Sequence, residues 1–398
     1  QDANGIGNFS MAVPTDAKSL CTANIPEPII GANSSSQADD HFQTITYIGN
    51  GGTINIPNAT SEPTTPSSMS FSPDWTWYKC IIGGANRWHY LFDTSRGDNK
   101  ALYSNLLDAE DNQTPTYNTQ SFQPNGTRIV RDNGDHLNFD DDTYVSWNWK
   151  ANGGVATTND ASATSIGTID SVYQANTTAG FSIVTYTGTG SSGSIAHGLK
   201  IGTTATAPDF VIIKKRNASN RWFAWHKKDP TDYFILNEDD AGEPSNFALR
   251  FGNDSAITQP STTLLTLGTN TDVNASNTYV AYCFAEVEGF SKFGSFIGNG
   301  SDTDGSFVFT NFAVSFVMIK NKSTGSWTIY DNIRSPINPR SKRMAVNLGL
   351  VQADTSTQAV DFLSNGFKLK SNNSDQNADG AGYVYMAFGD SFKYANAR

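Results

Sequence analysis

Charged side chains are scarce in this sequence. Asp, Glu, Lys and Arg make up 16% of its 398 residues, well below the roughly 25% of an ordinary globular domain. The 38 acidic residues outnumber the 27 basic ones, for a net charge of −11. Such a balance provides no positive footprint for a phosphate backbone or an anionic membrane. We therefore expect no nucleic-acid partner.

Long apolar runs are also missing. No stretch of about 18 apolar residues occurs, and no basic-then-apolar leader resembles a signal peptide. We expect no insertion into a membrane. The first residue is Gln1 and not Met, which indicates a processed product, a fragment or an incompletely known sequence.

Cysteine and histidine are few. Cys21, Cys80 and Cys283 lie far apart, without the paired spacing of a zinc site or the even count of a disulfide scaffold. We interpret them as buried thiols. The five histidines show no metal-binding spacing, and no Gly-x-Ser-x-Gly motif is present. The sequence predicts no cofactor and no enzyme.

Glycine and aromatic residues are plentiful by contrast. The chain has 34 glycines, and Phe, Trp and Tyr make up 12% of it. Aromatic side chains suit half-buried pleated surfaces, and glycine supplies the positive-φ positions of tight turns. This composition favours strands and turns over helices.

A three-part internal repeat organises the chain. A strand that begins with Phe and closes in a Gly-rich turn starts each unit, at Phe42, Phe181 and Phe293. A second strand comes next, with an aromatic residue four positions before Lys79, Lys214 and Lys320. Its nearly continuous apolar character predicts burial on both sides, with the lysine where the chain emerges into a loop. A tryptophan comes seven to nine residues later, at Trp88, Trp222 and Trp327.

The closing strand is the clearest repeat. Residues 143–149, 278–284 and 382–388 align without a gap. The distance from the lysine to the tyrosine of the closing strand is 65 (79 to 144), 65 (214 to 279) and 63 (320 to 383) residues. Alternation places Val145, Trp147 and Trp149 on one face, which we predict to be the core side.

These repeats predict an all-β chain of three tandem antiparallel β-sandwich, jelly-roll-like modules with long loops and little helix. The predicted divisions are a lead segment at 1–40, modules at 41–150, 180–289 and 290–398, and a Ser/Thr/Asn/Gly linker at 151–179. The linker predicts a loose first junction, whereas the second and third modules join almost without slack.

Several of these strings resemble a known group. Tyr-Thr-Gly-Thr-Gly (186–190), Pro-Asp-Phe-Val-Ile-Ile-Lys (208–214) and Leu-Phe-Asp-Thr-Ser-Arg-Gly (91–97) resemble modules of tail-fibre and appendage proteins of marine bacteriophages, including cyanophages. The resemblance covers about residues 40–398, and the lead segment resembles the stretch after a SPRY-type lectin-like domain in some such proteins. It implies a place on the virion, in a tail or capsid appendage, with a homotrimer, other virion proteins and a host surface polysaccharide or protein as partners.

One departure from a uniform repeat concerns an Asp–Arg pair. Asp93 and Arg96 of the first module correspond to Asp331 and Arg334 of the third, but the second has Trp225-His226 there. A role that needs the pair in every module is therefore in doubt.

Acidic clusters are the first place to look for chemistry. Asp140-Asp141-Asp142 and Asp239-Asp240 have the pattern of solvated turns and not of a catalytic carboxylate pair. Asp375, Asn377 and Asp379 match the first half of a calcium loop, but Met386 stands where the bidentate Glu belongs. A hairpin loop is favoured over a metal site there.

Aromatic side chains are the remaining candidates, because sugar rings stack on exposed Trp and Tyr. The predicted glycan contacts are Trp88, Tyr90, Trp222, Trp225, His226, Tyr233 and Trp327. Core packing is the favoured alternative for the recurring tryptophans, and Tyr90, Trp225, His226 and Tyr233 are the better candidates for exposed loop tips.

Three functions fit the sequence. The leading hypothesis is a virion fibre that contributes to host-receptor recognition through multivalent weak sites. The alternative is a purely structural virion protein, such as a capsid decoration, head fibre or adaptor. A polysaccharide depolymerase is the least favoured, because the repeat exceeds 100 residues, whereas a parallel β-helix repeats every 20 to 30.

Overall fold

The computed structural model describes residues 28–31, 34–57, 69–84, 87–112, 118–131 and 137–390. Nearly all of its regular structure is antiparallel strand, with three four-residue helices and one 3-10 turn at Ala38–Asp40. The predicted all-β class is confirmed. No helix in these ranges is long and apolar enough to cross a membrane. Most of the predicted lead segment, 1–27, lies outside the described residues.

The first module has one large and one small sheet. Its strands are β1 (Phe42–Ile48), β2 (Thr53–Ile56), β3 (Trp75–Ile82), β4 (His89–Asp93), β5 (Lys100–Tyr103), β6 (Asp111–Asn112), β7 (Asn118–Gln123), β8 (Gly126–Arg131) and β9 (Thr143–Trp149). The large sheet has the order β1-β9-β3-β4-β5-β6, and the small sheet has the order β2-β8-β7.

The second module repeats this plan with additions. Its elements are β10 (Thr157–Asn159), α1 (Ala161–Thr164), β11 (Ser171–Asn176), β12 (Phe181–Thr187), β13 (Gly193–Ala196), β14 (Lys200–Ile201), β15 (Thr204–Ala205), β16 (Phe210–Lys215), β17 (Trp222–His226), β18 (Asp229–Ile235), α2 (Phe247–Arg250), β19 (Leu264–Leu267), α3 (Thr271–Asn274) and β20 (Thr278–Phe284). The large sheet is β10-β11-β12-β20-β16-β17-β18, and β13–β19 and β14–β15 form two short ribbons.

The third module returns to the plan of the first. Its strands are β21 (Ser291–Ile297), β22 (Phe307–Phe309), β23 (Val314–Asn321), β24 (Thr328–Asp331), β25 (Lys342–Ala345), β26 (Ala353–Asp354), β27 (Gln358–Leu363), β28 (Gly366–Ser371) and β29 (Gly382–Gly389). The sheet orders are β21-β29-β23-β24-β25-β26 and β22-β28-β27.

The segment predicted to be a linker, 151–179, is structured instead. It contains β10, α1 and β11, and β11 pairs over six residues with β12 of the second module. The Asp160 carboxylate accepts hydrogen bonds from the first turn of α1, which is the usual role of an N-cap aspartate. The polar composition therefore belongs to an edge strand, the strand beside it and a capped turn, and the first junction is not a loose tether.

The closing strand of each module lies inside its large sheet, between the opening strand and the second strand. All seven residues of β9 are buried, although the alternation predicted a single core face. One face of the strand packs under the module's own small sheet, and the other joins a core that all three modules share. Two-sided burial suits the many apolar residues of these strands, and the polar Ser146 and Asn148 of β9 are buried as well.

Aromatic rings close the shared core into a ring of modules. The first phenylalanine of each module packs on the second-strand ring of another: Phe42 on Phe316 at 5.4 Å, Phe181 on Trp75 at 5.7 Å and Phe293 on Phe210 at 6.2 Å between centroids. The first module thus contributes its phenylalanine to the third module, the second module to the first, and the third module to the second. It is a head-to-tail arrangement that closes after three steps within one chain.

Candidate functional site

Six of the seven predicted glycan-contact residues lie in the interior. Tyr90, Trp222, Trp225, His226, Tyr233 and Trp327 are each at most 6% exposed. Trp88 is half-buried against Tyr90 and Tyr103. A buried ring offers no face to a sugar in solvent. Burial thus corrects the placement of Tyr90, Trp225, His226 and Tyr233 at exposed tips.

Two of the three recurring tryptophans connect modules. Trp222 Nε1 donates to the carbonyl of Tyr103 at 2.8 Å, and Trp327 Nε1 donates to that of Ile235 at 3.1 Å.

In the first module His89, and not Trp88, takes the place of these tryptophans. Its Nε2 bonds the carbonyl of Ala345 at 3.0 Å, and strand register pairs it with Lys79 as Trp222 pairs with Lys214. The predicted equivalence of Trp88 is therefore wrong by one residue.

The three repeated lysines also hold modules together. Each lysine lies one to three residues before the end of its strand, close to the predicted loop. The side chains are nevertheless fully buried and donate to backbone carbonyls of another module. The bonds are Lys79 to Gly349 (3.0 Å), Lys214 to Leu107 (2.9 Å) and Lys320 to Asp240 (2.7 Å). Desolvation lowers the pKa of Lys214 to about 7 and that of Lys79 and Lys320 to about 8.

The Asp–Arg pair that two modules share has a structural role. Asp93 accepts a hydrogen bond at 2.7 Å from Tyr282 of the second module, and Asp331 accepts one at 3.1 Å from Trp147 Nε1 of the first. Arg96 and Arg334 ion-pair with these carboxylates in full burial.

The junction between the second and third modules has neither the aspartate acceptor nor the aromatic donor of the other two junctions. His226 stands in the aspartate's place, and Met386 stands where Tyr282 and Trp147 donate. Met386 has no donor, and His226 Nε2 instead bonds the carbonyl of Tyr385 at 3.1 Å. The departure seen in the sequence is therefore matched by a second change across the same junction.

The calcium-like string lies in the loop from β28 to β29. Asp375 accepts a backbone hydrogen bond from Ser326 and pairs with Arg343, while Asn377 is buried and bonds Asn299. Within the described ranges no three His, Cys, Asp or Glu side chains converge as metal ligands. These groups hold the loop in place.

The predicted burial of two cysteines is confirmed. Cys80 and Cys283 are buried free thiols, and burial raises their pKa to about 11 and about 12. Cys21 lies outside the described residues.

A groove of about 440 Å³ opens between the first and second modules. We call it the junction groove. Its lining residues are His41, Lys150, Ala151, Asn152, Thr157, Tyr173, Ala175, Asn176, Thr177, Thr178, Gly198 and Lys200.

Hydrogen bonds between modules fix the groove's first wall. The buried Asp74 carboxylate accepts backbone hydrogen bonds from Ala151, Gly153 and Gly154 at 2.7 to 2.8 Å. Desolvation raises the pKa of Asp74, and these bonds oppose that rise by favouring the carboxylate. The turn that carries Lys150 and Asn152 is therefore held to β3.

His41 and Asn176 form the floor. Asn176 Nδ2 donates to His41 Nδ1 and to the carbonyl of Lys150, both at 3.0 Å, and His41 Nε2 bonds Ser36 Oγ. Desolvation, with the nearby charge of Lys150, lowers the pKa of His41 to about 4. The imidazole is neutral at pH 7.

The groove has little signature in the sequence, because residues 151–179 have the composition of a linker. The one available signal is Lys150, which comes directly after the closing-strand aromatic where the aligned positions hold Ala285 and Gly389.

Comparison with known proteins gives one family. The model of a domain of unknown function, DUF7483, matches residues 37–391. The chain belongs to the DUF7483 family. The match starts one residue before the 3-10 turn at 38 and ends two residues after β29 at 389, so the DUF7483 region spans the whole ring of modules. No curated protein and no solved structure matches the chain.

Proposed function

We propose that this protein is a component of a bacteriophage virion, a tail fibre or similar appendage that contributes to recognition of a glycan on the host surface. The observation that carries the proposal is the repeated module whose strings resemble phage appendage proteins. Those strings form the strands and turns around a common core. A ring of modules packed around one core suits a part that must present loops at a distance from the virion.

Mass spectrometry and antibody labelling of purified particles test the location. We expect the chain in particles of the phage that encodes it, with label on an appendage. A chain found in infected cells but absent from purified particles would overturn the proposal.

A homotrimer belongs to the same proposal, because fibre proteins of this type are commonly trimers. The faces that pack between modules are occupied within the chain, so a trimer would form through other surfaces. Light scattering should give three times the mass of one chain, and a monomer at micromolar concentration would remove this part of the proposal.

The burial of six predicted contact rings favours a second candidate, a purely structural virion protein such as a capsid decoration, head fibre or adaptor. A glycan array separates the two. Binding of the full chain to envelope glycans supports the receptor role, and an array without signal supports the structural one.

A further inference from the structure

We propose that the junction groove binds an acidic saccharide, whose anionic groups pair with Lys150 and Lys200. The inference rests on the proposed function for the biological source of the ligand.

Charge selects the ligand class. Lys150 is half-buried and Lys200 exposed, and neither ammonium has a hydrogen-bond or ion-pair partner among the described residues. None of the described residues that line the groove is Asp or Glu. In a chain of net charge −11, two unpaired cations in one concave site form a local positive potential, which favours an anion.

The other lining groups suit a polyhydroxylated molecule. The hydroxyls of Tyr173, Thr157 and Thr178 have no partner among the described residues, so they are available to donate or accept. The half-buried Tyr173 ring lies against Gly198, where an added Cβ would stand 2.2 Å from the ring carbons. An amphipathic ring beside free hydroxyls and cations can contact both the C–H face and the polar edge of a sugar.

The fold does not require the lysine. The closing strands align without a gap, and Ala285 and Gly389 occupy the position of Lys150 in the other modules. Because the Lys150 ammonium has no hydrogen-bond or ion-pair partner among the described residues, its removal should leave stability nearly unchanged.

Two larger grooves have no unpaired cation among the described residues that line them. The groove of about 500 Å³ beside β11 and β12 includes Arg216, which is already held by Glu110. The groove of about 590 Å³ beside β27 includes Arg340, which donates to the carbonyl of Ser335. Their cations are used inside the protein.

Hydrogen bonds within the protein hold the wall and the floor of the groove in place. Asp74 and Asn176 hold the Lys150 turn through hydrogen bonds to its backbone. Little ordering of the backbone then opposes binding.

Titration of the full chain with a galacturonic acid trimer, a neutral galactose trimer of the same linkage, and inorganic phosphate tests the inference. We expect the acidic trimer to bind, with affinity falling as salt is raised, and the neutral trimer to bind at least tenfold more weakly. Lys150→Ala and Lys200→Ala should each weaken binding about fivefold, the size of one exposed ion pair. Lys150→Arg should restore it.

Lys228→Ala is the matched control, because Lys228 is exposed and lies outside the groove. Its affinity should equal that of the unmodified chain. Equal binding of both trimers, binding unaffected by the two groove lysines, or no binding of the acidic trimer would each overturn the proposal. Phosphate binding as tightly as the acidic trimer would overturn the saccharide assignment. None of these results bears on the presence of the chain in particles, so the two proposals fail separately.

Discussion

The four described histidines share one protonation pattern. In each, Nδ1 accepts a hydrogen bond and Nε2 donates one: His41 to Ser36, His89 to Ala345, His197 to Ser261 and His226 to Tyr385. The donors to Nδ1 are Asn176 Nδ2, Trp77 Nε1 and the backbone N–H groups of Leu199 and Lys228. A proton added at Nδ1 would break this hydrogen bond and leave its donor without an acceptor inside the protein. Each imidazole is therefore neutral at pH 7.

Acid should therefore unfold the protein. Desolvation lowers the pKa of His41, His197 and His226 to about 4, against about 6.5 in an unfolded chain. Between these values the unfolded state binds more protons, so stability is lost as pH falls from 6.5 to 4, by about 3 kcal/mol per histidine.

Denaturant unfolding at pH 7, 6, 5 and 4 measures this loss. His197→Gln keeps one donor and one acceptor but cannot take up a proton. The free energy of unfolding of this variant should therefore fall less steeply between pH 6.5 and 4, by the contribution of one histidine. A free energy of unfolding that is constant over this range would contradict the pattern.

The buried Tyr282 hydroxyl should be worth about 1 to 3 kcal/mol. Tyr282→Phe keeps the stacking on Trp75 at 4.5 Å but removes the donor to Asp93. Denaturant unfolding should show the loss. Tyr173→Phe removes a hydroxyl without a partner among the described residues and should stay within about 0.5 kcal/mol of the original chain. Equal effects of the two changes would refute the assigned bond.

At this scale the sequence predicts residue types better than residue roles. Trp88 aligned with Trp222 by distance from the lysine, but the connecting loops have different lengths, and strand register places His89 there instead. A hydrogen bond to a carbonyl of another module has no sequence signature, so the roles of Lys79 and its counterparts could not be predicted.

Among the elements, the closing strands were the most predictable. Their repeated apolar residues predict three strands at the correct places in the sequence, and each of these strands lies inside a large sheet. Strands β10 and β11 were missed because their residues are mostly Ser, Thr, Asn and Gln, a composition shared with linkers. Strands with one solvated face carry little apolar signal.

The turn at Gly198 gives a test at the scale of elements. Gly198 and Gly202 both have positive φ, at 68° and 61°. An alanine at 202 meets no atom of the described residues within 4 Å and should cost about 1 kcal/mol for its backbone conformation. Gly198→Ala adds overlap with the Tyr173 ring, so it should cost a further 1 to 3 kcal/mol or so. Thermal unfolding of both variants measures the difference, and a Gly198→Ala variant as stable as Gly202→Ala would refute the close approach.

On the scale of the whole molecule, the shared core should make the modules unfold together. Residues from all three modules form one continuous apolar cluster, so loss of one module exposes the inner faces of the other two. We expect one calorimetric transition for the full chain, and a fragment of residues 41–150 that does not fold alone. Three separate transitions, or a folded fragment with dispersed amide resonances, would contradict this expectation.

The arrangement of the modules was beyond the reach of the sequence. Alternation shows that a strand has two faces, but it does not say whether the second face meets solvent, a small sheet or another module. The sequence therefore predicts three tandem modules without saying how they pack, whereas their large sheets converge on one aromatic centre. The junction groove depends on that convergence, since both modules supply its walls.

A ring of three modules within one chain differs from a homotrimer in how substitutions act on it. Three identical subunits repeat each substitution three times, so a change that helps one junction must be tolerated at the other two. Here His226 and Met386 could replace an aspartate and its aromatic donor at a single junction, and Lys150 could arise beside only one groove. Substitutions can thus change one junction of this protein without changing the other two. The three sides of the molecule can therefore differ in function although the three modules share one plan.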